Sequence, residues 1–216
     1  MSGVIALAFA GVMFLLYPAV RPWNDETTQA GAQASMGSDA WVASHFFAML
    51  GFIAVPLALL ALRRVVPGRL TTAALLTGWI GAGLTLPYYG AEDFGLHGAA
   101  LSSTADLVAL ADDVRYGPVA ATTFAAGLAL LAASGVLTAV AVWRSGVLPR
   151  WAGVLFGVGL ALFIPQFYLG PAARIAHGVL LAVGCWLLAT TWWRSLQVSA
   201  SLGRESRQSG PVEQRQ

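Results

Sequence analysis

Between Leu86 and Gly98 the chain reads Leu-Pro-Tyr-Tyr-Gly-Ala-Glu-Asp-Phe-Gly-Leu-His-Gly, which puts two carboxyls, two tyrosines and a histidine at the end of an apolar helix. Helical spacing sets Tyr89, Asp93 and His97 on one stripe and Tyr88 and Glu92 on the next. Two acids on adjacent faces can divide acid–base work. In a partly dry site, burial and the neighbour's charge hold one carboxyl protonated and ready to donate, and His97 or His177 takes a proton back. The spacing predicts that Asp93 orients His97 while the longer Glu92 reaches the pocket as proton donor, so that Glu92→Gln would end turnover and spare the fold. The candidate catalytic set is Glu92, Asp93, His97, His177 and Tyr89.

A second use of the same groups is metal binding. Asp93 and His97 lie one turn apart on one face, and His45 and His177 come from other apolar stretches at the same level, a nitrogen and oxygen set suited to zinc or iron. A histidine bonded to a backbone carbonyl explains any one of these positions as well. Around them, Trp23, Trp41, Phe46, Phe47, Tyr88, Tyr89, Phe94, Phe167 and Tyr168 are expected at one depth. Trp41, Phe46, Tyr88, Phe94, Tyr168 and Arg174 are the candidate substrate-binding residues, Arg174 either pairing with Glu92 or Asp93 or reaching to lipid phosphates. Ring faces stabilise positive charge, so such a pocket suits isomerisation or cyclisation of a lipophilic molecule, by architectural analogy with membrane-bound terpene cyclases. An interfacial aromatic belt accounts for many of the same rings.

The elements that must position these residues are membrane helices. Across 216 residues, 57% are hydrophobic and 10% charged, outside the soluble range. Apolar runs at 3–20, 41–62, 70–99, 118–143, 151–169 and 172–193 predict an all-α, multi-pass bundle of six transmembrane helices. The first reads as a span rather than a cleaved leader, because no basic segment precedes it. Residues 70–99 exceed the thickness of a bilayer core, so this helix must tilt, kink at Pro87 or emerge. Residues 21–40 read as a long loop, and 104–116 as a short amphipathic helix on the outer surface, capped by Thr104, with Leu107, Leu110, Ala111 and Val114 inward. Residues 1–194 form one membrane domain, and 195–216 read as a disordered cytoplasmic tail.

All twelve basic residues are arginine. Nine fall on the side of the 63–69 and 144–150 turns and the C-terminus, and three, Arg21, Arg115 and Arg174, fall on the other. The expected location is therefore the cell membrane with both termini cytoplasmic, and eight of the ten acids lie outside. The basic balance follows from topology rather than from a nucleic-acid surface. Cys185, the only cysteine, excludes an internal disulfide and a cysteine metal cluster, and reads as a small buried hydrophobe. No nucleotide loop, zinc-protease histidine pair or nucleophile elbow is present.

The turn Leu148-Pro149-Arg150-Trp151-Ala152-Gly153 leading into a Gly-rich stretch resembles an uncharacterised family of small bacterial six-helix integral membrane proteins. The resemblance implies architecture and brings no activity with it. A weak echo relates Pro87-Tyr88-Tyr89-Gly90 and His97-Gly98 to Pro165, Tyr168, Gly170 and His177-Gly178, a parallel repeat or a coincidence of a Gly- and Pro-rich chain. Three functions stay open: an acid–base isomerase or cyclase acting on a lipophilic small molecule, a proton-coupled transporter or pH sensor, and a structural or accessory membrane subunit. Of Gly153-x3-Gly157 and Gly127-x3-Leu131, the first predicts close helix packing and the second does not.

Overall fold

The computed structural model describes residues 1–102 and 105–208, with side-chain surroundings up to Leu202. Every described element is helical. The long helices are α1 (Ser2–Val20), α3 (Asp39–Leu62), α4 (Arg69–Gly90), α7 (Pro118–Ser145) and α10 (Pro171–Gln208). The short ones are α2 (Gln29–Met36), α5 (Leu96–Ala100), α6 (Leu107–Tyr116), α8 (Val154–Ala161) and α9 (Phe163–Gln166). Among the described residues, five stretches are long and apolar enough to cross a membrane: Ser2–Val20, Asp39–Leu62, Arg69–Ala100, Pro118–Ser145 and Pro171–Leu202.

The stretch expected as a fifth span, 151–169, is a broken one. A 3-10 turn over Arg150–Gly153 leads into α8, and the chain breaks at Leu162 before α9. Pro165 explains the break, since it has no N–H for the carbonyl four residues back and its ring crowds that turn. From Arg150 to Gln166 a helix would extend roughly 25 Å, a little short of a ~30 Å hydrocarbon core.

Packing pairs close the bundle into a ring in chain order: α1 against α3, α3 against α4, α4 against α7, α7 against α8, α8 against α10, and α10 back against α1. At its centre Phe14, Phe52, Tyr89 and Phe163 meet edge to face or tilted, with Phe52 5.3 Å from Phe14, 5.3 Å from Tyr89 and 5.2 Å from Phe163 between ring centroids. Such contacts add to the burial of four large rings and make a dry plug. Cys185 is buried, as its apolar run suggests.

Small residues set the helix spacing. Gly153 and Gly157 lie against α7, and a Cβ on Gly157 would fall 2.9 Å from the Gly135 carbonyl oxygen. Gly127, not expected to mark a close crossing, does so: its Cβ would sit 3.0 Å from the Gly81 carbonyl oxygen. The tightest approach of this kind is at Gly184, where a Cβ would come within 2.5 Å of the Phe156 backbone nitrogen. Gly184→Ala must therefore push α10 off α8, and it is expected to cost about 1–3 kcal/mol. Thermal unfolding in mild detergent checks this against Gly83→Ala, whose added methyl meets nothing within 4 Å and is expected to cause no loss.

The structure differs locally from the sequence reading in four places. The 21–40 loop contains α2, whose Ala32 and Met36 are fully buried, with the Thr28 hydroxyl accepting from Gly31 N as its cap. Thr104 lies outside the described residues, and α6 is capped by Asp106, which accepts from Ala109 N. On α6 the expected inward residues Leu107 and Ala111 are buried, whereas Leu110 is exposed. Beyond Arg194, α10 continues to Gln208, and residues 209–216 lie outside the described residues.

Candidate functional site

The helix that starts at Arg69 is not interrupted at Pro87, which lies inside it. It runs through to Ala100 with one π-helical turn, Ala91–Gly95, four residues beyond the proline. The wider turn holds one residue more than an α-turn, so side chains beyond it are rotated from simple 3.6-residue spacing. Glu92 and Asp93 both lie in this turn and are buried, but they face different surroundings.

Glu92 turns toward α6. Its Oε1 accepts from Arg115 Nε at 2.6 Å and its Oε2 from Arg115 Nη2 at 3.0 Å, a two-pronged pair. Arg115 Nη2 also donates to Glu26 Oε2 at 2.8 Å, and Glu26 Oε1 accepts from Arg21 Nη2 at 2.8 Å. The result is a chain of alternating charge, Arg21–Glu26–Arg115–Glu92, tying together the end of α1, the following loop, α6 and the π turn. Burial works against the Arg115 charge, but the hydrogen bond to Glu92 and the Glu92 and Glu26 charges outweigh it, so the guanidinium is held above its ordinary pKa. Trp41, fully buried, braces the network from behind: its Nε1 donates to the Glu92 carbonyl oxygen at 2.8 Å, and Arg21 lies over its ring at 5.0 Å. The loop is shaped by Asp25, which accepts from the Thr27 hydroxyl and backbone N–H and is held below its ordinary pKa by those bonds, the hydroxyl's first. Its contribution is present at neutral pH and fades as pH falls through that lowered value.

Both Glu92 oxygens are engaged by one guanidinium, the arrangement of an ion pair that ties elements together rather than of a carboxyl poised to give up a proton. Arg174 does not pair with Glu92 or Asp93 either. Its Nε donates to Gln166 Oε1 at 3.2 Å, and its guanidinium lies over the rings of Trp23 and Phe167, 5.0 Å from each centroid.

Beside the network lies a cavity of about 530 Å³. Its polar wall carries Arg21, Glu26, Glu92, Arg115, Arg174, His45 and the tyrosines Tyr17 and Tyr89, and its apolar wall includes Tyr88, Phe124, Leu128, Phe167 and Tyr168. Tyr88 stacks on Phe124 at 3.9 Å between centroids, which fixes that wall. His45 forms a triangle of rings with Tyr17 and Tyr89, 5.8 and 5.9 Å from them between centroids, the two tyrosines being 5.7 Å apart. Its Nδ1 lies 2.9 Å from the Trp41 carbonyl oxygen, four residues back in α3, so Nδ1–H donates there and Nε2 carries a free lone pair. The Tyr89 hydroxyl is buried with no hydrogen-bond partner among the described residues.

Of the expected site residues, the cavity gathers His45, Glu92, Tyr88, Tyr89, Tyr168 and Arg174. The others lie elsewhere. His97 Nδ1 is 2.7 Å from the Met36 carbonyl oxygen, and His97 lines a shallow groove with Phe46 and Phe94, both largely exposed. His177 Nε2 is 2.8 Å from the Gly159 carbonyl oxygen, and its ring packs edge-on against Phe163. The echo between His97-Gly98 and His177-Gly178 thus has no counterpart in their surroundings. Each histidine bonds a backbone carbonyl, and no three His, Cys, Asp or Glu groups come together to hold a metal among the described residues. The set of His45, Asp93, His97 and His177 is therefore not assembled.

Asp93 is fully buried, and neither carboxyl oxygen has a partner among the described residues. A carboxyl so placed costs stability. Asp93→Asn keeps the shape without the ionisable group and is expected to leave the thermal midpoint unchanged or raise it. A fall of several degrees would mean that the carboxylate is satisfied by a bound group.

Sequence reasoning missed Arg115, Glu26, Arg21, Tyr17 and Phe124. The signal was present in the arginine count: the three arginines that break the asymmetry, Arg21, Arg115 and Arg174, all line the cavity. Compared with protein-family models, curated proteins and solved structures, the chain gives no match, so what the cavity does is read from its own residues.

Proposed function

We propose that the chain is a six-pass integral membrane protein, both termini cytoplasmic, that holds a lipophilic small molecule in the cavity at its outer end and rearranges it by acid–base chemistry, as an isomerase or cyclase. The observation that carries this is the pairing, in one aromatic-lined cavity, of a histidine with a free Nε2 and a tyrosine hydroxyl without a partner. The volume falls within the range of small-molecule pockets, roughly 300–1,000 Å³. His45 accepts a proton from the substrate, and Tyr89 donates one from the other side as a neutral acid. The Arg21–Glu26–Arg115–Glu92 chain fixes the walls and takes no part in proton transfer.

The transporter reading is less favoured. Phe52 packs against Tyr89, and Phe14 and Phe163 pack against Phe52, across the centre of the bundle where a proton path would have to continue. The buried hydroxyls Ser134 and Thr138 donate to backbone carbonyls, Ala74 and Ser134 respectively, rather than to one another.

Proton transfer at carbon leaves a trace in heavy water. Incubating the purified protein with a bacterial lipid extract in deuterium oxide is expected to place deuterium at carbon in one lipophilic component, as followed by mass spectrometry. No protein-dependent incorporation into any component would sink the proposal. Orientation is tested separately: reporter fusions after Ser35 and after Leu202 are expected to report opposite sides, with the C-terminal fusion inside.

A further inference from the structure

The charges around the cavity do not cancel. Arg21 and Arg115 are matched by Glu26 and Glu92 in three ion pairs, whereas Arg174 has no acidic partner among the described residues. Its Nε is engaged by Gln166, its Nη2 makes a long 3.5 Å contact with the Tyr17 hydroxyl, and Nη1 makes no hydrogen bond among the described residues. Trp23 and Phe167 hold the guanidinium by its faces, which leaves donors at its edge. Helix stability does not explain the position, because a cation in the first turn of α10 opposes the helix dipole.

Resting on the reading of the cavity as a ligand site, we infer that its ligand is a singly anionic amphiphile, whose carboxylate or phosphate head meets the edge of Arg174 and whose hydrocarbon lies against Tyr88, Phe124 and Leu128. One negative charge completes the balance of the cavity wall. The aromatic wall accepts an alkyl or isoprenoid chain and offers nothing to a second charge. A planar, two-pronged guanidinium suits either head group.

The test compares dodecanoate, the phosphodiester dodecyl methyl phosphate, which like dodecanoate carries one negative charge, and dodecanol by calorimetric titration of the full chain in a neutral maltoside detergent at pH 8. At least one anionic amphiphile is expected to bind about tenfold or more tightly than dodecanol, as a charge-assisted hydrogen bond predicts. Acetate or inorganic phosphate alone should bind far more weakly, since neither fills the apolar wall. In Arg174→Gln the preference for the anion should vanish while dodecanol binding persists, and Arg174→Lys should restore part of it. Equal affinity for dodecanol and both anions, or a preference that survives Arg174→Gln, overturns the inference but leaves the cavity reading standing. If none of the three binds, the proposed function falls with it. Nanodiscs then separate the sources of the head group: a bilayer of phosphatidylglycerol weakens dodecanoate binding relative to phosphatidylcholine if a membrane phospholipid occupies the site, and leaves it unchanged if the ligand is a free acid.

Discussion

Arg115→Met is expected to lower the stability of the folded protein by about 3–5 kcal/mol, because it leaves two carboxylates facing one another with their shared cation gone. Glu92 and Glu26 are 6% and 16% exposed, so water does little to replace the guanidinium. Glu92→Gln should cost less than Arg115→Met, since the amide oxygen still accepts from Arg115 and Glu26 still balances its charge. Replacing all four charges at once, Arg21→Met and Arg115→Met with Glu26→Gln and Glu92→Gln, should recover much of the loss, because the cost lies in unpaired charge rather than in missing contacts. Chemical unfolding in detergent, followed by tryptophan fluorescence, reads all three. An Arg115→Met protein as stable as the parent would show that the chain of charges is a surface feature, and would return Glu92 to the pool of candidate acids.

His45→Gln is expected to reduce deuterium incorporation into the substrate by about 10²- to 10⁴-fold, the usual worth of a positioned general base. The amide nitrogen can still donate to the Trp41 carbonyl, so α3 should keep its place, but no group of suitable basicity remains at Nε2. Amphiphile binding should persist in this variant, which separates loss of chemistry from loss of the cavity. Tyr89→Phe should act in the same direction through loss of the proton donor, at little cost in stability, because its hydroxyl makes no hydrogen bond among the described residues. Unchanged incorporation in both variants would leave the protein as a binder of lipophilic molecules rather than an enzyme.

Composition and periodicity were enough to settle an all-helical chain with several long apolar helices, because a 57% hydrophobic sequence leaves its backbone polar groups few other ways to be satisfied. The boundaries of α1, α3 and α7 follow their apolar runs closely, since length and hydropathy are local properties. The 151–169 stretch reads by its hydropathy as one continuous span although it holds Pro165, and where the helix breaks depends on packing against α7 and α10. Six of the residues singled out from the sequence, His45, Glu92, Tyr88, Tyr89, Tyr168 and Arg174, separated by up to 129 positions, line one cavity.

Which of the singled-out groups meet was decided by tertiary structure. Helical spacing assumes an unbroken 3.6-residue turn, and the π turn at Ala91–Gly95 changes the relation between Glu92, Asp93 and His97 that the stripe argument needed. Charge counting could set Arg115 apart with Arg21 and Arg174 but could not give it a partner, because its pairing with Glu92 and Glu26 requires α6 to fold back across the end of the bundle. The histidines were expected together because buried imidazoles need partners. They found them in backbone carbonyls of Trp41, Met36 and Gly159, each supplied by a different helix environment. A residue's type and depth follow from sequence, because both are set by solvent. Its partner follows from the direction of its helix face and the crossing of its neighbours, which small residues such as Gly81, Gly127 and Gly184 determine through contacts between segments far apart in the chain.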